Sequence, residues 1–189
     1  MAFGSLWKYE SAAGAVGNVR SSWPEETMVH RDPELATLIV TLHPKCPCSR
    51  ATVDELAKVM AHCQGKLVTQ VLVVRPKDAP EGWEKTDLWS SAAQIPGVTA
   101  IADVDGIESQ RFGAMTSGQA LLYSHDGRLL FAGGITESRG HSGDNAGRSL
   151  IVALVHRELR DSTTQPPRTA VYGCPLFATS PTGTGTCRK

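Results

Sequence analysis

Cysteines carry the most evident chemistry in this 189-residue chain. Cys46 and Cys48 are separated by one proline in Pro44-Lys45-Cys46-Pro47-Cys48-Ser49, just after the β-type run Leu38–Leu42. Beyond them, Val53, Leu56, Ala57 and Met60 recur at the spacing of an amphipathic helix. The two thiols therefore stand between a strand's end and a helix's start, with Ser49 as the expected N-cap. A helix N-terminus presents unpaired N–H groups and the positive end of the macrodipole, both of which favour thiolate over thiol. Lys45 and Arg50 add positive charge, so one of these thiols is expected to titrate below the free value of about 8.5. Free cysteines are otherwise often plain core residues, but two of them in three residues at a strand end point to chemistry.

Three more cysteines follow. A Cys46–Cys48 disulfide would close a very small, strained ring, which makes a bond labile. Cys174, in the apolar knot Tyr172–Phe177, is a longer-range partner that is easier to accommodate. Cys63, at the far end of the first helix, reads as a core or surface thiol. Cys187 reads as an incidental thiol in a Thr/Gly tail. Thiolates are also ligands for soft ions, copper(I) or zinc, so a metal is the alternative use of the same residues.

The elements that must position these groups alternate in type. Leu67–Val74 is apolar at all positions but Thr69 and Gln70, too continuously for an edge, which suits a buried parallel strand. Glu84–Ala93 reads as a helix, Val98–Ala102 as a strand and Asp105–Phe112 as a short helix. Ala120–Ser124 and Arg128–Ala132 flank Asp126-Gly127, a hairpin signal. A last helix, capped by Asp144, turns Ile151, Leu154, Val155 and Leu159 to one face. The order β-α-β-α-β-α-β-β-α implies a mixed sheet with helices on its faces.

Composition narrows the function classes. Nineteen basic and nineteen acidic residues balance, so the chain lacks the basic excess that nucleic-acid binding needs. No run of eighteen apolar residues is present to span a bilayer. Residues 1–34 are expected to form an N-terminal arm, flexible over Met1–Ser22, and 35–160 the folded domain. Residues 161–189 form a Pro/Thr/Gly-rich tail, partly docked around Cys174.

Three segments resemble the thioredoxin-like superfamily, and in particular its redoxin branch. They are Leu38–Ser49, Ile101–Gly106 with Arg111-Phe112-Gly113, and the hairpin Leu121–Leu130. Cys-Pro-Cys-Ser, Gly133–Asn145 and Gly173-Cys174-Pro175 are similar to a RedB-like subgroup. The resemblance implies a thioredoxin-like α/β fold with extended terminal arms. It also implies that Cys46 takes the nucleophile position and that Ser49 stands where the family has its resolving cysteine. Gly118 then falls where the family carries a cis-proline, which in those proteins helps exclude metal from the thiols. Glycine does not favour a cis peptide, so the departure leaves room for a metal.

A thioredoxin-like sheet would bring three loops to one edge: His43–Ser49, Thr116–Gln119 and Gly134–Asn145. Ligand sites of open α/β sheets lie at such an edge. Arg139 and His141 are the reactive groups of the third loop, as stabilisers of a thiolate or, for His141, as a metal ligand. His43 is a weaker candidate, and His30, His62, His125 and His156 read as surface residues. The primary expectation is an enzyme, a thiol–disulfide oxidoreductase that needs no cofactor and acts on a protein thiol or disulfide partner. The alternative is a copper- or zinc-binding protein using Cys46, Cys48 and His141 or Cys174. A third possibility is a non-catalytic module with one structural bridge. The resemblance implies a periplasmic or extracytoplasmic setting, with a membrane anchor in a longer protein.

Overall fold

The computed structural model describes residues 12–156 and 165–177. Its centre is strand β1 (Ala36–Leu42), whose last six residues are buried on both faces. Helix α1 (Ser49–His62) returns the chain to β2 (Leu67–Arg75), which pairs parallel with β1 from Ala36↔Leu67 to Leu42↔Val73. Helix α2 (Asp87–Ala93) leads to β3 (Val98–Val104), parallel to β2 at the sheet edge. After the short helix α3 (Ile107–Arg111), β4 (Gln119–Tyr123) lies antiparallel on the other side of β1. Strand β5 (Leu129–Gly134) completes the hairpin, and α4 (Ala146–Val155) closes the domain. The sheet order is β3-β2-β1-β4-β5. The largely apolar second strand occupies the doubly flanked place that its composition implied.

Side chains alternate across this sheet and feed two cores. Leu38, Val40 and Leu42 face Val53, Leu56 and Val59 of α1, Leu88 of α2 and Ile151 of α4. Leu56 is fully buried, and truncating it to alanine would cost about 3 kcal/mol. Ile39, Leu72, Leu121 and Tyr123 point the other way, toward Phe112, Val19, Val29 and Trp23.

That second core corrects the expectation of a flexible arm over residues 12–22. Trp23 packs edge-on to Phe112 and Tyr123, with ring centroids 5.0 and 5.3 Å away. Tyr123 Oη donates to Arg20 O at 3.0 Å, and Gln119 Nε2 donates to Val16 O at 2.9 Å. The sheet's second face has only α3 to cover it, so this segment supplies the missing apolar layer.

Local expectations shift in four further places. Ser49 is not the N-cap of α1; Cys48 is, already in helical conformation, because the turn Cys46–Ser49 runs straight into the helix. The inner face of α1 includes Val59 and Glu55 in place of Ala57, which is exposed. Helix α2 begins at Asp87, after a turn over residues 81–84. Asn145, not Asp144, caps α4: its side chain accepts from Arg148 N at 2.8 Å, while Asp144 pairs with the Arg148 guanidinium. Leu159 and Cys187 lie outside the described residues.

The C-terminal segment follows the outer edge of β5. Ala132 N donates to Pro167 O, Thr169 N to Ala132 O and Gly134 N to Ala170 O. Covering an edge in this way satisfies backbone groups that would otherwise be open to pairing. It also carries the chain to the end of the sheet where β1 delivers Cys46.

Candidate active site: a three-cysteine cluster at the sheet end

Cys46, Cys48 and Cys174 form one buried cluster with relative exposures of 4%, 8% and 5%. Two of them ride on the turn from β1 into α1. Cys46 N donates to His43 O at 3.0 Å, and Ser49 N to Cys46 O at 3.1 Å. The third is placed by the tail. Ser117 N donates to Cys174 O at 2.8 Å, Leu176 N to Met115 O at 3.0 Å, and Thr116 bridges Pro175 antiparallel.

The loop before β4 holds both pieces in register. Ser117 Oγ lies 2.7 Å from Ser49 Oγ and accepts from His43 N at 2.8 Å. Gly118, where the resemblance puts the family's proline, has a trans peptide and a φ of +90°. Its N–H donates to Thr41 O at 2.7 Å, and a Cβ there would meet Thr52 Oγ1 at 2.8 Å. Glycine is what this conformation and this close approach both require.

The environment separates the two thiols of the turn. Cys46 is pulled down to about 4. The leading cause is the hydrogen bond from the Cys174 thiol; Ser49 and the N–H groups of Cys174 and Cys48 add to it and together overcome burial. Hydrogen bonds to the charged form are a recognised route to such depression. Lys45 and Arg50, expected to add positive charge beside the helix start, are engaged elsewhere. Lys45 Nζ sits 4.7 Å over the Trp83 ring, and Arg50 pairs with Asp87. Cys48 is pushed up by burial and by the Cys46 thiolate, against the pull of Arg139. His43 is half-buried and pushed down, chiefly by burial, with the Cys46 charge opposing. Its ring packs edge-on to Trp83 at 6.1 Å.

Arg139 reaches the site from the β5–α4 loop, with Nη1 donating to Gly173 O at 2.6 Å and Nε to Ala12 O at 3.2 Å. His141 is exposed, and its Nδ1 lies 2.8 Å from Arg139 O. The contacts that set the acidity of the turn come from Cys174, Ser49 and Arg139 rather than from His141. Cys63 is wholly buried in the main core at the other end of α1. Among the described residues, no group of three or more His, Cys, Asp and Glu is arranged to hold a metal ion.

Three contributors escaped the sequence reading. Ser117 and Trp83 gave no signal beyond their neighbours. Glu55 did leave a trace, as an acidic residue between Val53 and Leu56 on an apolar helix face. Fully buried, it accepts from Lys58, Ser142 Oγ, Gly143 N, Asn145 Nδ2 and Arg148, and so anchors the β5–α4 loop to α1. Burial opposes its charge, but these donors prevail and hold it at about 2.

No family model and no curated protein matches the sequence. Solved structures do match. A hypothetical protein of Sinorhizobium meliloti 1021 is 18% identical, over 92% of this chain and all of that one, with a TM-score of 0.62. An uncharacterized conserved protein of Geobacillus kaustophilus is 15% identical, over 89% and 93% of the two chains, with a TM-score of 0.60. A SCO1/SenC family lipoprotein of Bacillus anthracis str. Ames is 10% identical, over 74% and 98%, with a TM-score of 0.50. At these identities the likeness speaks of architecture alone. The five-stranded mixed sheet, its flanking helices and these neighbours together identify the architecture as the thioredoxin-like fold.

Proposed function

We propose that this protein is a thiol–disulfide oxidoreductase in which Cys46 is the attacking sulfur and Cys174 resolves the intermediate. One observation carries the reading: a cysteine from a distant segment lies against Cys46 and donates the hydrogen bond that keeps it as thiolate. The thiolate, not the thiol, is the nucleophile in exchange.

Cys46 S⁻ attacks one sulfur of a partner's disulfide; that bond breaks, and the leaving sulfur takes up a proton. Cys174, losing its proton, then attacks the Cys46 sulfur and releases the second partner thiol. The partner gains two electrons and two protons, and the protein is left with a Cys46–Cys174 bond. Run backwards, the cycle oxidises a dithiol. An acidic Cys46 stabilises the reduced protein and so weights the cycle toward oxidising partners. Cys48, held protonated beside Arg139, is the reserve resolving thiol. The partner is a protein thiol or disulfide, in an extracytoplasmic setting, as the RedB-like resemblance implies.

By donor type these three sulfurs would take copper(I) or zinc, although among the described residues they are not arranged to hold an ion; metal binding is the second reading. The experiment separates the two. Protein purified without chelator is analysed for metal, then oxidised, digested and mapped by mass spectrometry. A reductant-sensitive Cys46–Cys174 bond without stoichiometric metal is expected. Stoichiometric copper or zinc, or no reversible bond involving Cys46, overturns the reading.

A further inference from the structure

The tail does more than bring a thiol. Around Cys174 it is extended and pairs antiparallel with the Met115–Ser117 backbone through the Ser117 N–Cys174 O and Leu176 N–Met115 O bonds. Along a strand, residues two apart share a side. Cys174 joins the sulfur cluster, and Leu176 is buried with Val74 and Ala114. The preceding Gly173 lies so close that a Cβ there would stand 1.8 Å from Ser117 O. With this segment in place Cys46 is only 4% exposed, too enclosed for a sulfur inside a protein partner to reach.

We propose that Gly173–Leu176 is a self-supplied strand occupying the groove for a protein partner's extended segment of the form Gly-Cys-x-apolar, and that partner and tail exchange places on the Met115–Ser117 backbone. The inference rests on the exchange chemistry proposed for Cys46. Each feature of the preferred partner follows from what the tail now fills. The glycine answers the contact at Ser117 O, the cysteine meets Cys46, and the apolar residue enters the place of Leu176. Backbone pairing of an added strand supplies affinity, and alternate side chains supply selectivity. The tail competes as an intramolecular ligand, so a partner binds with its affinity reduced by the fraction of molecules in which the groove is open.

The test uses the full chain and two probes. One is glutathione disulfide; the other is an extended peptide with a Gly-Cys-Thr-Leu core, its cysteine in a mixed disulfide with glutathione. In Gly173→Ala the new methyl collides with Ser117 O, and the tail must leave. Exchange with the peptide should then rise about tenfold relative to exchange with glutathione disulfide. Changes in Cys46 acidity act on both probes alike, so the ratio reports access. A peptide with alanine before its cysteine should lose the gain.

Amide exchange gives a second reading, taken on Cys174→Ser so that the tail cannot resolve the mixed disulfide with the peptide. In the mixed disulfide with the peptide, Leu176 N–H should lose protection while Ser117 N–H keeps it, its acceptor now being the peptide's carbonyl. An unchanged probe ratio, or a Leu176 amide still protected in the mixed disulfide, overturns the proposal while leaving exchange at Cys46 intact. Failure of the wild-type protein to react with either probe overturns the exchange chemistry itself, and this inference with it.

Discussion

Two cysteines bracket helix α1, and both are buried. Cys46 sits in the turn that enters the helix and is drawn down to about 4; Cys63 caps its end and is pushed up. Burial acts on both in the same direction, against the charged form. What differs is the set of donors. Around Cys46 stand a second thiol, a serine hydroxyl and two backbone N–H groups, whereas Cys63 has burial as its main influence and Lys66 as a minor one. The pair teaches that a reactive thiol here is made by what is brought to it, and most of that is brought by the tail.

The contrast breaks first if the two thiols prove interchangeable. Cys46→Ser should lower exchange with a small disulfide by about a thousandfold, while Cys63→Ser should leave it within about twofold, since its sulfur meets no reactant. Stability against pH gives the same contrast a sign. Cys46 titrates near 4 when folded and near 8.5 when unfolded. Its contribution to the reduced protein is therefore complete above about 8.5 and lost as pH falls through about 4. Urea midpoints of reduced wild-type protein should climb across that window, and those of Cys46→Ser should climb less.

The next effect concerns the middle of the same helix. Glu55→Gln keeps the shape but removes a charge that Lys58 and Arg148 answer. A loss of about 3 kcal/mol is expected from denaturant unfolding. Because the folded Glu55 lies near 2 and a free glutamate near 4.3, the variant's deficit should shrink as pH drops through that interval.

A sharper question is how much of the acidity of Cys46 the tail supplies. Cys174→Ala removes the leading donor, and thiolate absorbance should move upward by about 2 pH units. A titration that stays near 4 would give the credit to Ser49 and the backbone instead. Smallest of all is His141→Ala. The ring is exposed and bound to its own loop, so the unfolding free energy should change by less than about 0.5 kcal/mol. Thiol acidity should hold unless the imidazole reaches the sulfurs in solution.

Much of the framework could be read from the chain itself. The apolar run of β2, the Asp126-Gly127 turn and the strand-to-helix setting of Cys46 are local patterns, and local patterns survive folding. The failures are equally physical. Asn145 displaced Asp144 as a cap because Arg148 had another use for the aspartate. The covering role of Val19 and Trp23 depends on a sheet face left bare by elements far away in sequence. Of the two expected causes of the low Cys46 value, the helix-start N–H of Cys48 contributes, but the cations do not, because Lys45 and Arg50 turn to Trp83 and Asp87. The leading donor, Cys174, comes from the last described segment.

One guanidinium, that of Arg139, holds carbonyls from both chain ends, Ala12 and Gly173. This gives the site a place in time during synthesis. Strand β1 and the Cys46 turn leave the ribosome early, the loop bearing Arg139 much later, and Gly173-Cys174 later still. Until then the sheet can assemble, but Cys46 lacks its leading hydrogen-bond donor and the strand that encloses it. The nascent domain thus holds a more ordinary, more accessible thiol, and it acquires its acidity when translation delivers the tail.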